Sequence, residues 1–548
     1  LPICIDITGK EGKDKMTDNA NFFCIGPSGS GKSFHMNSVV RQLLEQGTDV
    51  VMVDTGDSYE GICGYFGGTY ISYSKEHPIS VNPFKITDIE YNENFGEKKN
   101  FLKSLIFLIF KGNEAPTKIE DLIINQIIVE YYEAYFNPFK KFSASEKKAL
   151  RKKLLTTAKM NGEYHDEGRM KVREEHTVFN HEDNTPMLLS ERRAMIERRS
   201  LALQSMIDDK AATAAEKQEA RKLLRKYNKE MLELEDEKFN EHIELQIARI
   251  EKERKRMKVS QLNFNTFYEY AIERIPQITR EDKTSFDIHN FAAILKPFYL
   301  GGEQEMTLNS DLDVNLFDER FIVFEIDKIN DDPVIFPIVV LIIMDVFLQK
   351  MRIKKGRKAL IIEEAWKAIA SPTMAEYIKY LYKTVRKFHG IAGVVTQELN
   401  DVIDSPIVKE AIINNSDIKI LLDQAKFKDR YNDISAILGL TDVQKQQIFT
   451  VNALNNKEGR AYFKEVWICR GANSDVYGVE EPPECYWAYT TERAEKEALK
   501  IYTRHYGNIR DAIMNIEKDR HSLKIGRYLD FANKVNQHKT VMALWENE

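Results

Sequence analysis

The sequence predicts an α/β fold: a predominantly parallel sheet, interrupted by an all-helical insert and followed by C-terminal helices. Three observations carry this. The apolar run Phe22-Phe23-Cys24-Ile25 leads through eight loop residues into an amphipathic helix, then into a second apolar run, 50–53, closed by Asp54. Strand-like runs resume at 320–327, 358–364, 391–397 and 418–422, separated by helical patterns, as in buried parallel sheets. Between these groups the apolar spacing is helical, and 191–258 is densely charged, with Leu224, Tyr227, Met231 and Leu234 recurring at three- and four-residue intervals. That pattern reads as a long solvated helix or helical hairpin, and its interleaved acids favour a charged outer face over contact with DNA.

The first group fixes the chemistry. Gly26-Pro27-Ser28-Gly29-Ser30-Gly31-Lys32-Ser33 matches G-x-x-x-x-G-K-[ST] without deviation, and the flanking strand and helix supply the context the motif needs. The glycines let successive N–H groups and the helix N-terminus converge on a β-phosphate. Lys32 then reaches the β/γ oxygens and Ser33 offers a hydroxyl to Mg²⁺, with the cradle running on to Phe34. The implied ligands are ATP and Mg²⁺. Asp54 and Asp57 end a strand expected beside the phosphate strand, where they either touch the Mg²⁺ shell or cap the next element. Asn82-Pro83-Phe84 is read either as the outer edge of the nucleotide site or as a plain turn.

The second group supplies the acids. Lys358-Ala359-Leu360-Ile361-Ile362 is an apolar run that ends in Glu363-Glu364. At the carboxyl end of a parallel strand these acids meet the phosphates, with Glu363 holding Mg²⁺ through water and Glu364 acting as general base. Two glutamates opening a helix are the bland alternative. The next strand ends in Thr396-Gln397, and Gln397 is read as a sensor of the γ-phosphate or an orienter of water. His35, inside the phosphate helix, reads as a packing residue rather than a base.

Composition narrows the class. A net charge of −6 rules out a basic footprint over the whole chain, so any nucleic-acid contact would be a local patch. Five scattered cysteines without a C-x-x-C pair argue for a reducing compartment and against a zinc or disulfide framework. The most apolar run, 334–348, is too short to span a bilayer and carries Pro337 and Asp345, so it reads as a buried helix. The opening at Leu1, without Met and in the middle of a strand-like phrase, suggests a piece of a longer chain. The expected boundaries are 1–96 and 301–489 for the two parts of the core, 97–300 for the helical insert and 490–548 for a C-terminal appendage.

With the phosphate loop, the Glu363-Glu364 strand, the Thr396-Gln397 strand end and Asn82-Pro83-Phe84 in place, the chain resembles the C-terminal ATPase domain of the type IV secretion ATPases of the VirB-four class, and within it the TraG conjugation ATPases. The phrases Pro2-Ile3-Cys4-Ile5-Asp6, Val53-Asp54-Thr55-Gly56-Asp57-Ser58-Tyr59 and 361–366 carry the likeness. The resemblance implies a RecA-like P-loop NTPase core that assembles as a hexameric ring with ATP at subunit interfaces. It implies work in the bacterial cytoplasm at the cytoplasmic face of the inner membrane, beside other secretion-system subunits. There it would power pilus assembly or transfer of relaxase-bound single-stranded DNA. It also implies an arginine finger, for which Arg386 is the first choice and Arg430, Arg460 and Arg470 compete. The rival readings are an FtsK/HerA-like translocase acting directly on DNA and a scaffold that binds ATP with little turnover.

Overall fold

The computed structural model describes residues 17–74, 79, 82–137, 144–160, 164–165, 169–170, 177–179, 185–209, 211–256, 259–309, 316, 318–329, 331–364, 372–397, 412–453 and 463–545. The expected strand around Ile3 and Ile5, Trp366 and Arg460 lie outside them. The described residues form two compact units, one of residues 1–130 and 261–548, the other of residues 131–260.

The larger unit is organised by a nine-stranded sheet. In chain order its strands are β1 (Phe22–Ile25), β2 (Asp49–Asp54), β3 (Thr69–Ser72), β4 (Phe321–Glu325), β5 (Lys358–Glu363), β6 (Ile391–Thr396), β7 (Ile418–Leu421), β8 (Phe463–Arg470) and β9 (Asn473–Glu480). Across the sheet they run β9-β8-β7-β1-β6-β5-β2-β4-β3, parallel from β7 to β3, with β8 and β9 added antiparallel at one edge. Strands β1, β4, β5 and β6 are buried along their whole length, which is why their sequences are apolar runs rather than alternations.

The order corrects the place expected for the strand that ends in Asp54. Strand β6 lies between the phosphate strand β1 and the acid strand β5, and β2, which ends in Asp54, lies beyond β5. Neither β5 nor β2 therefore touches β1. Uniformly apolar strands carry no mark of their neighbours, and lateral order comes from the crossovers between them.

Helices cover the sheet. Helix α1 (Lys32–Glu45) follows β1, and α2 (Glu60–Phe66) follows β2. Helix α3 (Phe95–Lys111) packs on α5 (Ile335–Ile353) and α6 (Pro372–Lys387), so it belongs to the core unit rather than to the insert expected at 97–300. A buried ion pair, Lys98 Nζ to Asp345 Oδ2 at 2.9 Å, joins α3 to α5. Helix α4 (Phe264–Asp282) also lies in the core unit, and its Arg274 is buried against Glu130 at 2.6 Å. Nearly all of α5 is buried, and among the described residues no helix is long and apolar enough to cross a membrane.

The C-terminal helices α7 (Pro483–Tyr489), α8 (Arg493–Tyr506), α9 (Ile509–Ser522) and α10 (Tyr528–His538) share one apolar cluster with the sheet. Trp487, Tyr502 and Phe531 are fully buried in it together with Phe22 and Met52. The stretch expected as an appendage is thus built into the core.

In the smaller unit the densely charged stretch forms a helical hairpin of Leu189–Asp208 and Ala214–Arg256, with Arg192 buried against Glu230. Two short antiparallel pairs, Tyr164–His165 with Arg169–Met170 and Thr177–Phe179 with Pro186–Leu188, make this unit mixed rather than wholly helical.

Candidate nucleotide site

The loop after β1 is shaped by its glycines. Gly29 and Gly31 have φ of +83° and +88°, the left-handed region in which a side chain is strained. Gly26 has no room for one, since a Cβ there would lie 2.8 Å from Leu422 Cδ1. Gly31 caps α1 without a side-chain bond, so the first N–H groups of the helix face the loop's concavity. Two lysines from the far end of the chain flank the loop. Lys426 Nζ donates to Ser28 O at 3.0 Å, and a Cβ on Gly31 would lie 3.6 Å from Lys464 Cε.

Lys32, the first residue of α1, points across β6 to the end of β5. Its Nζ lies 3.5 Å from Glu363 Oε2 and 3.6 Å from Glu364 Oε1, with all three side chains almost fully buried. Among the described residues that ammonium has no partner at hydrogen-bond distance. A buried, under-satisfied cation at the N-terminus of a helix, above a left-handed glycine cradle, fits a polyphosphate.

The two acids are held differently. Glu363 Oε1 accepts from the Tyr59 hydroxyl at 2.8 Å, and burial pushes its carboxyl up to about 7 against the pull of Lys32. Glu364 has φ of +51°, a strained conformation for a residue with a side chain. Its N–H donates to Val395 O at 2.8 Å, and its Oε1 accepts from the backbone N–H of Gln397 at 3.2 Å. The end of β6 thereby fixes the position of Glu364. Strained backbone of this kind concentrates at functional sites.

Between α1 and β5 runs a brace that the sequence reading missed, residues 55–59. Ser58 Oγ stands 3.4 Å from Ser33 Oγ, and Asn37 Nδ2 donates both to Ser33 O at 2.8 Å and to Ser58 O at 3.1 Å. Tyr59, fully buried, carries the brace to Glu363. Asp54 shapes it: its carboxylate accepts from the N–H groups of Gly56, Ser58 and Tyr59 at 3.1, 2.6 and 3.2 Å. Burial, reinforced by Glu325, holds the Asp54 carboxyl well above the usual carboxylate range. Of the two roles the sequence leaves open to Asp54, these bonds match the second, since they shape the turn that leads into α2.

A cavity of about 430 Å³ opens over the phosphate loop. Pro27, Gly29, Lys32, Ser33, Phe34 and Gln397 line one side, and Tyr486, Tyr489 and 490–492 the other. The aromatic wall comes from α7, with Phe34 edge-on to Tyr489 at 5.4 Å between ring centres. No pattern near Tyr486 marks it in the sequence.

Other expected positions fall elsewhere. Arg386 is exposed in the last turn of α6, just before β6 begins, at the opposite end of the parallel strands from the phosphate loop. The chain does not bring it to its own site. Arg470 ends β8 at the same far edge, where it pairs in register with Ile418. Arg430 closes a 3₁₀ turn, Ala425–Arg430, which begins near the phosphate-loop end of β7. Asn82 donates to Leu262 O at 2.8 Å and accepts from the N–H of Phe84 at 3.0 Å, so Asn82-Pro83-Phe84 is a turn fastened to the start of α4. His35 is buried and held neutral, with burial lowering it to about 4.

Comparisons with known proteins place this architecture. The structure of VirB4 of Thermoanaerobacter pseudethanolicus superposes with a TM-score of 0.50 at 15% identity, covering 88% of this chain and 94% of that one, which shows a shared fold. The plasmid coupling protein TrwB, solved with ADP and Mg²⁺, is more distant, with a TM-score of 0.37 and 12% identity over 84% of each chain. Protein TraC of Escherichia coli (strain K12) is 36% identical over 73 residues, a match that spans 13% of this chain and 8% of TraC. The TraG P-loop domain matches residues 1–148 and 205–520, most of the length, with the phosphate loop, both acids and the strands that carry them inside the matched segments; the chain belongs to the TraG P-loop domain family.

Proposed function

We propose that this chain is an ATP-hydrolysing motor of a type IV secretion or conjugation system. The observation that carries the reading is the convergence of Lys32 with Glu363 and Glu364 at 3.5 and 3.6 Å beside a left-handed glycine cradle. Membership of the TraG P-loop domain family supports it.

Residues 26–33 would cradle the β-phosphate through backbone N–H groups, and Lys32 would leave the carboxylates for the β/γ oxygens. Ser33 and Glu363 would hold Mg²⁺, which supplies charge neutralisation on the phosphates. Glu364 accepts the proton of the attacking water as the bond to the γ-phosphorus forms and the bond to the departing ADP oxygen breaks. Gln397, beside Glu364 and lining the cavity, orients that water. Phe34 and Tyr486 would flank the base.

Arg386, remote from its own phosphate loop, acts on this reading only across a subunit boundary, as a finger delivered by a neighbouring copy in a ring. Work on a pilus or on relaxase-bound DNA at the inner membrane belongs to the same proposal. Steady-state phosphate release decides the hydrolytic role. The wild type should release phosphate only with Mg²⁺, and Glu364→Gln should fall by about 100-fold or more; equal rates in the two would overturn it.

A further inference from the structure

The brace at 55–59 is clamped from the far end of the chain. Asp57 adopts φ of +50°, left-handed for a residue with a side chain. Its N–H donates to Glu325 Oε2 at 2.8 Å, its Oδ1 accepts from the Tyr70 hydroxyl at 2.7 Å, and its Oδ2 accepts from Lys496 Nζ at 2.8 Å. The same ammonium also donates to the Asp57 carbonyl. Lys496 lies near the start of α8, 439 residues away. The two residues that follow Asp57 are the ones that touch the site: Ser58 faces Ser33, and Tyr59 holds Glu363. Both side chains proposed to hold the metal therefore lean on a loop whose strained residue is gripped from the C-terminal helices.

We propose that Lys496 is a positioning residue for Mg²⁺·ATP, acting through Asp57 on Ser58 and Tyr59 and so on Ser33 and Glu363. This rests on the nucleotide-site reading above. The grip is charge-assisted and two-pronged, because one ammonium satisfies a carboxylate and a carbonyl of the same residue. It holds the left-handed turn against relaxation. The neighbouring cations and acids are accounted for: Lys500, one turn along α8, pairs with Glu60 at 3.3 Å, and Glu325 is occupied by the N–H groups of Asp57 and Asp327. Lys496 also borders an open cleft of about 850 Å³ between α2 and the C-terminal helices, so the clamp can be altered without opening the core.

The test is equilibrium binding of ATP to the intact chain, with Mg²⁺ and with EDTA, for the wild type, Lys496→Met, Lys496→Arg and Asp57→Asn, with Lys500→Ala as control. Lys496→Met should weaken the Mg²⁺-dependent binding by about tenfold and leave binding in EDTA unchanged, because the clamp acts on the metal-holding side chains. Lys496→Arg should recover most of the loss. Asp57→Asn, which keeps the carbonyl acceptor, should lose about threefold, and Lys500→Ala should match the wild type. Lys496→Met binding like the wild type in both conditions, or losing both equally, would overturn the positioning role. A wild type that binds no Mg²⁺·ATP, or a Lys32→Ala variant that binds it as well as the wild type, would instead remove the nucleotide-site reading and this inference with it.

Discussion

Replacing Lys32 by Met removes the cation that faces two buried carboxylates, and the cost should depend on pH in a predictable window. In the folded wild type Glu363 titrates at about 7, against a reference of 4.5. The folded state therefore binds this proton more tightly than the unfolded chain, and this group's contribution to stability falls as pH rises from about 4.5 to about 7, then levels off. Lys32 is what pulls the folded value down. Without it the Glu363 carboxyl titrates higher, and the variant continues to lose stability above pH 7 where the wild type no longer does. The gap between the two should widen by up to about 1.4 kcal/mol per pH unit until the variant's own titration point is reached. Urea unfolding at pH 6, 7, 8 and 9 measures it, with Trp467 and Trp487, both fully buried in the unit that holds the site, as fluorescent reporters. A gap that stays constant across the four pH values would mean that Lys32 does not face Glu363. Adding Glu363→Gln to the variant should flatten the dependence.

On the proposed function the same carboxyl governs the metal. Titration of Mg²⁺ in saturating ATP should show a half-saturating concentration that rises as pH falls, since burial holds the Glu363 carboxyl high and its protonated form offers no anion; Glu363→Gln should bind weakly and without that slope. Packing of β1 on β6 gives a stability test away from the chemistry: a Cβ at Gly393 would sit 2.2 Å from Phe22 Cζ, so Gly393→Ala should cost about 1–3 kcal/mol and lower the melting temperature by several degrees. Arg386→Ala should leave ATP binding by the dilute chain unchanged and reduce turnover only where copies associate; a loss of binding in the isolated chain would contradict its remoteness from the phosphate loop.

What the sequence could disclose follows from the range of the contacts. A glycine-rich loop between a strand and a helix is written in consecutive residues, as is an apolar strand ending in Glu363 and Glu364. The strand that separates them is not, because β1, β5 and β6 are all buried on both faces and read alike. The brace was hidden for another reason. Tyr59 meets Glu363 across 304 positions and Lys496 meets Asp57 across 439, and a lone tyrosine or lysine carries no pattern. Asp54 stayed open because an acid at a strand's end suits a ligand and a tight loop equally well, and the three N–H groups that its carboxylate accepts from appear only in the fold. The C-terminal helices looked separable because an amphipathic helix does not name the surface that it covers. Trp487 and Phe531 bury that face in the core shared with the sheet.

On the proposed function the phosphate loop and the acid strand together hold one magnesium-bound triphosphate. An experimental density map of the Glu364→Gln variant with ATP and Mg²⁺ tests it most directly. A triphosphate should lie along residues 26–33, with Lys32 turned to it and the metal between Ser33 and Glu363. Nucleotide bound elsewhere on the chain, or a metal remote from Glu363, would contradict it.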